Sequence, residues 1–254
     1  MGRLKLASII LALAAFLTAF SAQYPVTAEE LIKKVEEKFQ GDQTTAQIEI
    51  NIQRPKWTRT MNIKTWSKGS KYSMSLITAP ARDRGTVFLK RDKEVWNWIP
   101  TVERTIKLPP SMMSQSWMGT DLTNDDMVRE SSMVNDFNHK LLGKETVGGV
   151  SCYKIESIAK EDAAVVWGKV IFWVDPVHYI QMKAEMYDED GELVNTFISS
   201  NVKNMGGRMV ASRMEIIPAD KADQKTTFEY KSLDFTTPIS EDFFTVQNMK
   251  RIKP

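Results

Sequence analysis

Cysteine is almost absent: Cys152 stands alone in 254 residues, so no internal disulfide can form. Histidine is nearly as scarce. His139 and His178 are the only two, and neither has a cysteine or a second histidine at metal-ligand spacing, which argues against zinc. No glycine-rich phosphate loop is present, because Met205-Gly206-Gly207 lacks the lysine and the strand–helix context. There is no G-x-S-x-G turn. Asp188-Glu189-Asp190-Gly191 matches part of a calcium loop, but the remaining ligand positions are wrong, and a plain turn is the expectation. The acidic pairs Asp125-Asp126 and Glu241-Asp242 stand where helix N-termini favour negative charge. The sequence therefore predicts no enzyme, no metal and no cofactor. The enzymatic alternative is a hydrolase, which would turn over an ester and lose activity with His139 or His178.

A bias of charge is also missing. The chain carries 34 basic and 32 acidic side chains. Removing residues 1–22 takes away Arg3 and Lys5 and leaves 32 of each, so nothing draws the chain as a whole to nucleic acid or to an anionic surface. The basic end Lys250-Arg251-Ile252-Lys253 reads as a solvated tail. The longest apolar run, Leu6 to Phe20, has 15 residues, short of the roughly 20 a spanning helix needs. Basic residues precede it and Ser21-Ala22-Gln23-Tyr24-Pro25 breaks it. That is the pattern of a signal peptide over residues 1–22, cut after Ser21 or Ala22, followed by one domain over 23–254. Cys152 lies far from the cut, so it is not the lipid-modified first residue of a lipoprotein. In VSCYKIES it reads as a small buried strand residue. An exported chain without cross-links fits the bacterial periplasm.

What is present is patterned. Thr27-Ala28-Glu29-Glu30 is a capping box, and Leu31, Ile32, Val35 and Phe39 follow at helical spacing, which predicts a helix over Ala28 to Phe39. After Gly41 the period changes to two. Ile48, Ile50 and Ile52 alternate with polar residues, as do Met61 and Ile63, and then Tyr72, Met74 and Leu76. Similar runs continue to KTTFEYKSLDF, and turns stand at Gly148-Gly149 and Asp188 to Gly191. One stretch interrupts them, with Pro109-Pro110, a turn over Ser111 to Met118, and a short helix from Thr123 to Glu130. The fold class is mainly β (α+β): roughly 11 antiparallel strands in one strongly curved sheet or open barrel, with helices on one face.

The distinctive chemistry is apolar. Thirteen methionines follow Met1, and Met112, Met113, Trp117 and Met118 crowd a segment that otherwise reads as a polar loop. Large apolar side chains in a loop need cover from water, and methionine fits irregular apolar partners. The expectation is a lid of Met112, Met113, Trp117 and Met118 over an apolar cavity lined by Met74, Leu76, Trp96, Trp98, Trp173, Met182 and Met186. Neighbouring strand residues point to opposite faces, so which of Trp96 and Trp98 faces inward stays open.

The order of these pieces resembles the outer-membrane lipoprotein-sorting family, the LolA-like periplasmic carriers. The matching stretches are the capped helix, Trp66 to Tyr72, Glu94-Val95-Trp96-Asn97-Trp98-Ile99-Pro100, Arg104-Thr105-Ile106 and the Ser114 to Met127 segment. Trp173-Val174-Asp175-Pro176, the Asp188 to Gly191 turn and Phe243-Phe244-Thr245-Val246 also match. The resemblance implies a half-open antiparallel barrel with helices covering its concave face. It implies a monomeric carrier of lipoprotein acyl chains or of another lipid, with an inner-membrane exporter as donor and an outer-membrane acceptor. The alternative on the same fold is a periplasmic interaction or sensor module that detects lipid or envelope stress.

Overall fold

The computed structural model describes residues 26–128, 132–221 and 223–254. The N-terminal apolar run and residues 129–130 of the expected second helix lie outside them. Helix α1 (Ala28–Gln40) begins with the capping box: the Glu30 amide donates to Thr27 Oγ1 at 3.1 Å and the Thr27 amide to Glu30 Oε2 at 3.0 Å. Two of the first turn's free amides are thereby satisfied.

Six strands then run as a meander: β1 (Gln43–Arg54), β2 (Trp57–Lys68), β3 (Tyr72–Ala79), β4 (Val87–Arg91), β5 (Glu94–Ile99) and β6 (Arg104–Leu108). The insert follows, with α2 (Asn124–Val128) and α3 (Met133–Asp136). Seven more strands complete the sheet: β7 (Phe137–Val147), β8 (Val150–Ala159), β9 (Lys169–Asp175), β10 (Ile180–Tyr187), β11 (Leu193–Met205), β12 (Arg208–Pro218) and β13 (Lys225–Asp234). A short α4 (Val246–Met249) lies near the C-terminus.

The strands form one antiparallel sheet of 13, in the order β6-β5-β4-β3-β2-β1-β13-β12-β11-β10-β9-β8-β7. That is two more than the roughly 11 expected, because runs as short as Val87–Arg91 and Arg104–Leu108 each form a separate strand. The sheet is open, with β6 and β7 as its edges. The insert, central in the sequence, therefore joins the two outermost strands. The sheet is also curved. Seven strand spacings of about 4.8 Å would part β1 from β7 by roughly 34 Å in a flat sheet, yet α1 touches β1, β7, β9 and β10.

The largest apolar cluster lies on the inner face. Ile48, Ile50 and Ile52 of β1 meet Leu31 and Ile32 of α1, Phe172 and Val174 of β9, and Trp117 of the insert. The outer face is apolar in two further places. Met74, Leu76, Val87 and Leu89 pack beneath Ile239, Phe244 and Met249 of the C-terminal segment. Cys152, Ile171, Trp173, Ile180 and Met182 form the other cluster. Cys152 is fully buried, as its strand pattern predicts, and burial pushes its thiol up from the ordinary value.

Candidate ligand-binding site

The insert is built around a tight turn. Trp117 donates its amide to the Leu122 carbonyl at 2.8 Å, and Ser116 pairs with Thr123. Met118 and Gly119 both take positive φ, 51° and 76°, a conformation costly for methionine. The sheet holds the turn in place. Arg54, the last residue of β1, donates to Asp121 Oδ1 at 3.0 Å, to Asp121 Oδ2 at 3.1 Å and to the Gly119 carbonyl at 3.0 Å. Arg59 of β2 donates to the Met118 carbonyl. Thr226 of β13 donates its hydroxyl to Asp121 Oδ2 at 2.6 Å, and Asn195 of β11 donates to the Asp121 carbonyl at 3.0 Å.

With its turn fixed, the insert drives Trp117 into the inner face. The indole is 1% exposed, with its ring centroid 5.5 Å from that of Phe88 on β4. Its N–H has no hydrogen-bond partner among the described residues. Met118 packs against the same cluster, while Met112 and Met113 close on Val95 and Leu108 near the β6 edge.

Beyond Trp117 the insert runs into α2. Thr123 caps this helix as expected: its hydroxyl accepts from the Asp126 amide at 3.1 Å, and its amide donates to Asp126 Oδ2 at 2.8 Å. Asp126 Oδ1 accepts from the Trp167 indole at 3.0 Å. Burial pushes the Asp126 carboxyl above the ordinary carboxylate value, against the pull of these hydrogen bonds. Asp126 and Met127 roof a cleft of about 140 Å³. Its floor is Thr44, Ala46 and Ile48 of β1, Thr65 and Ser67 of β2, Ser73 and Ser75 of β3, and Phe228, Tyr230 and Leu233 of β13. One end of the cleft is apolar and the other hydroxyl-rich.

The structure does not bring the sequence-predicted residues into one cavity. Trp117 and Met186 lie in the inner cluster, and Met112 and Met113 lie at the β6 edge. Met74, Leu76, Trp96 and Trp98 face the opposite way, under the C-terminal segment, which settles that both tryptophans of β5 point outward. Trp173 is also on the outer face, 2% exposed, with the ammonium groups of Lys183 and Lys154 at 4.3 and 4.8 Å from its ring. Met182 joins it because a bulge between Gln181 and Lys183 disturbs the alternation of β10. The sequence reading missed Ala46, Ser73, Ser75 and Phe228. Ala46 stands at period two from Ile48, Ser73 and Ser75 from Ile77, and Phe228 from Tyr230, while Leu233 falls on the same face only through the register shift between Gln47 and Ile48.

The Nδ1 atom of each histidine meets an oxygen of a neighbouring side chain. His139 Nδ1 lies 2.8 Å from Ser157 Oγ, and His178 Nδ1 lies 2.8 Å from Asp175 Oδ2 in the β9–β10 turn. Among the described residues no group of three His, Cys, Asp or Glu side chains could hold a metal ion.

A protein-family model described as "Uncharacterized protein" matches residues 69–251, well over half of the chain. The chain belongs to that family. No curated protein matches it. Solved structures share its fold. A LolA superfamily protein from Nitrosomonas europaea is 25% identical with a TM-score of 0.75, covering 87% of this chain and 99% of that one. An outer-membrane lipoprotein-sorting protein domain from Vibrio parahaemolyticus is 21% identical with a TM-score of 0.79, covering 88% of this chain and 98% of that one. The LolA-like fold that the residue motifs resemble thus extends over nearly the whole described chain. In this LolA-like chain the open 13-stranded sheet, with few helices, carries the cleft and its insert.

Proposed function

We propose that this LolA-like chain is a non-enzymatic periplasmic carrier for the acyl chains of a lipoprotein or another lipid. The carrying observation is the buried Trp117: a large aromatic side chain of a loop, pressed into the inner face of an open sheet and held there by polar contacts at the loop's turn. An insert held in this way can act as a removable plug. The sheet then works as a half-open barrel, with the insert and α1 over its concave side.

Magnitudes support a plug that moves. An acyl chain of 16 carbons costs on the order of 12 kcal/mol to expose to water, at about 0.8 kcal/mol per CH₂. Pockets for molecules of that size occupy roughly 300–1,000 Å³. The cleft holds about 140 Å³ beneath Asp126 and Met127, so cargo enters only when the insert that carries them, with Trp117 and Met118, swings off the sheet. When the barrel is empty they return, which spares an exposed apolar surface. The inner-face residues Ala46, Ile48, Phe228 and Leu233 would then hold the acyl chain, and the serines at the other end of the cleft would meet its polar head. Delivery from an inner-membrane donor to an outer-membrane acceptor follows from the same reading, as does export by the N-terminal apolar run.

The test is mass spectrometry of whatever copurifies with the protein from its native envelope. Acylated peptides or free acyl lipid at near-stoichiometric amounts support the carrier. Protein that comes out free of lipid, and takes up none from added acyl lipid, contradicts it.

A further inference from the structure

The antiparallel order places six connections at the same end of the sheet. Those between β5 and β6, β3 and β4, and β1 and β2 lie side by side, followed by those between β12 and β13, β10 and β11, and β8 and β9. Neighbouring connections are separated by two strand spacings, about 10 Å. Charge is divided between the two halves of this row. The first three carry Arg54, Lys56, Arg59, Arg82, Arg84 and Arg104 against Asp83 and Glu103. The last three carry Glu161, Asp162, Asp188, Glu189, Asp190, Glu192, Asp220 and Asp223 against Lys160, Lys169, Lys221 and Lys225. The even balance of the whole chain hides this separation.

Some of the cations are occupied. Arg54 pairs with Asp121, and Arg59 with Asp83 at 3.9 Å. Lys56, Arg82, Arg84 and Arg104 are exposed and form no ion pair with any described residue. Two large apolar side chains stand among them. Trp57 is 48% exposed and Val102 57%. The Trp57 ring is braced by the guanidinium groups of Arg54 and Arg59, at 5.9 and 6.0 Å from its centroid, so it is presented to solvent and not folded away.

An exposed tryptophan on a row of tips that also carries four unpaired cations has the chemistry of a membrane interface. Indole rings settle at headgroup level, and lysine and arginine are drawn to anionic headgroups. We propose that the basic row of hairpin tips, with Trp57 and Val102 at its front, docks onto an anionic phospholipid bilayer. The acidic half of the same end is repelled by such a surface, so the charge separation orients the approaching molecule with Trp57 leading. The tips also adjoin the turn that Arg54 and Arg59 hold, which brings the insert's fastening close to the bilayer.

Flotation with lipid vesicles tests this. Vesicles containing phosphatidylglycerol and vesicles of phosphatidylcholine alone are compared at low and at high salt, with the wild type and two variants, Trp57→Ala and the double variant Arg82→Glu, Arg84→Glu. All three carry the same N-terminus, so anything it contributes is common to them. The wild type is expected to float with the anionic vesicles and to be released by salt. The charge reversal is expected to lower the bound fraction by about tenfold or more, and Trp57→Ala to weaken it several-fold. All three sites are exposed, and circular dichroism checks that the variants are folded. Equal binding by wild type and variants overturns the proposal, as does binding without preference for anionic lipid. Failure to bind vesicles, with capture of a soluble envelope protein or of a second copy by the same tips, also overturns it.

Discussion

Arg54 and Asp121, 67 positions apart, meet in a two-bond ion pair with N–O distances of 3.0 and 3.1 Å. Both side chains are largely buried, at 12% and 10% exposure. The pair fastens the end of β1 to the turn that points Trp117 into the sheet. Breaking a buried pair from one side leaves an uncompensated charge, so Asp121→Ala is expected to cost about 3 kcal/mol in urea unfolding. It is also expected to speed the uptake of a fluorescent fatty acid, because the insert is no longer held. A loss below about 1 kcal/mol with an unchanged uptake rate contradicts the latch.

Asp126 makes stability depend on pH. Burial raises its carboxyl above the ordinary value, so the folded chain holds the proton more tightly than the unfolded one. Its contribution is fully present below about pH 4, where the unfolded carboxyl is also protonated, and is lost as pH rises through the raised value. Asp126→Asn cannot ionise. The wild type is therefore expected to lose stability relative to the variant as pH rises from about 4 through the raised value, read from unfolding midpoints. A difference that stays constant across that window contradicts this assignment.

The outward orientation of Trp173 separates stability from binding. Trp173→Ala is expected to cost about 3 kcal/mol, since a large buried side chain is removed. It is expected to leave the affinity for an acyl probe within about twofold, because the ring lies beneath Lys154 and Lys183 on the far side of the sheet. Fluorescence titration of the folded variant decides the point. A tenfold weaker affinity would put Trp173 back in the site.

Phe244 clamps the C-terminal segment to the outer face. It is fully buried, with its ring stacked on Tyr72 at 5.6 Å and packed against the cluster of Met74 and Leu89. Phe244→Ala is expected to lower stability by about 3–5 kcal/mol in chemical denaturation. A change under about 1 kcal/mol would mean that the segment is not part of the folded unit.

Much of this architecture is written in local patterns. The capping box at Thr27 and Glu30, the alternation of Ile48, Ile50 and Ile52, and the Asp188 to Glu192 turn all rest on contacts within a few residues or across one hairpin. Facing was not legible, and the reason is physical. Residues 74–77 are buried without a break, and so are residues 170–175, because the sheet is apolar on both sides there. Alternation carries facing information only when one side is wet. What makes the outer face dry at Met74 and Leu76 is the segment with Ile239, Phe244 and Met249, more than 160 positions later. The bulge at Met182 reverses facing within one strand and leaves no mark in composition. The burial of Trp117 was legible for a different reason: nothing in a polar loop explains that side chain except burial against something else.

The most direct measurement is a titration of a fluorescent fatty acid into the wild type and into the Trp117→Ser, Met118→Ser double variant. Saturable binding by the wild type, weakened about tenfold or more in the variant, is the predicted result. No binding by the wild type, or the same affinity in both, contradicts the account.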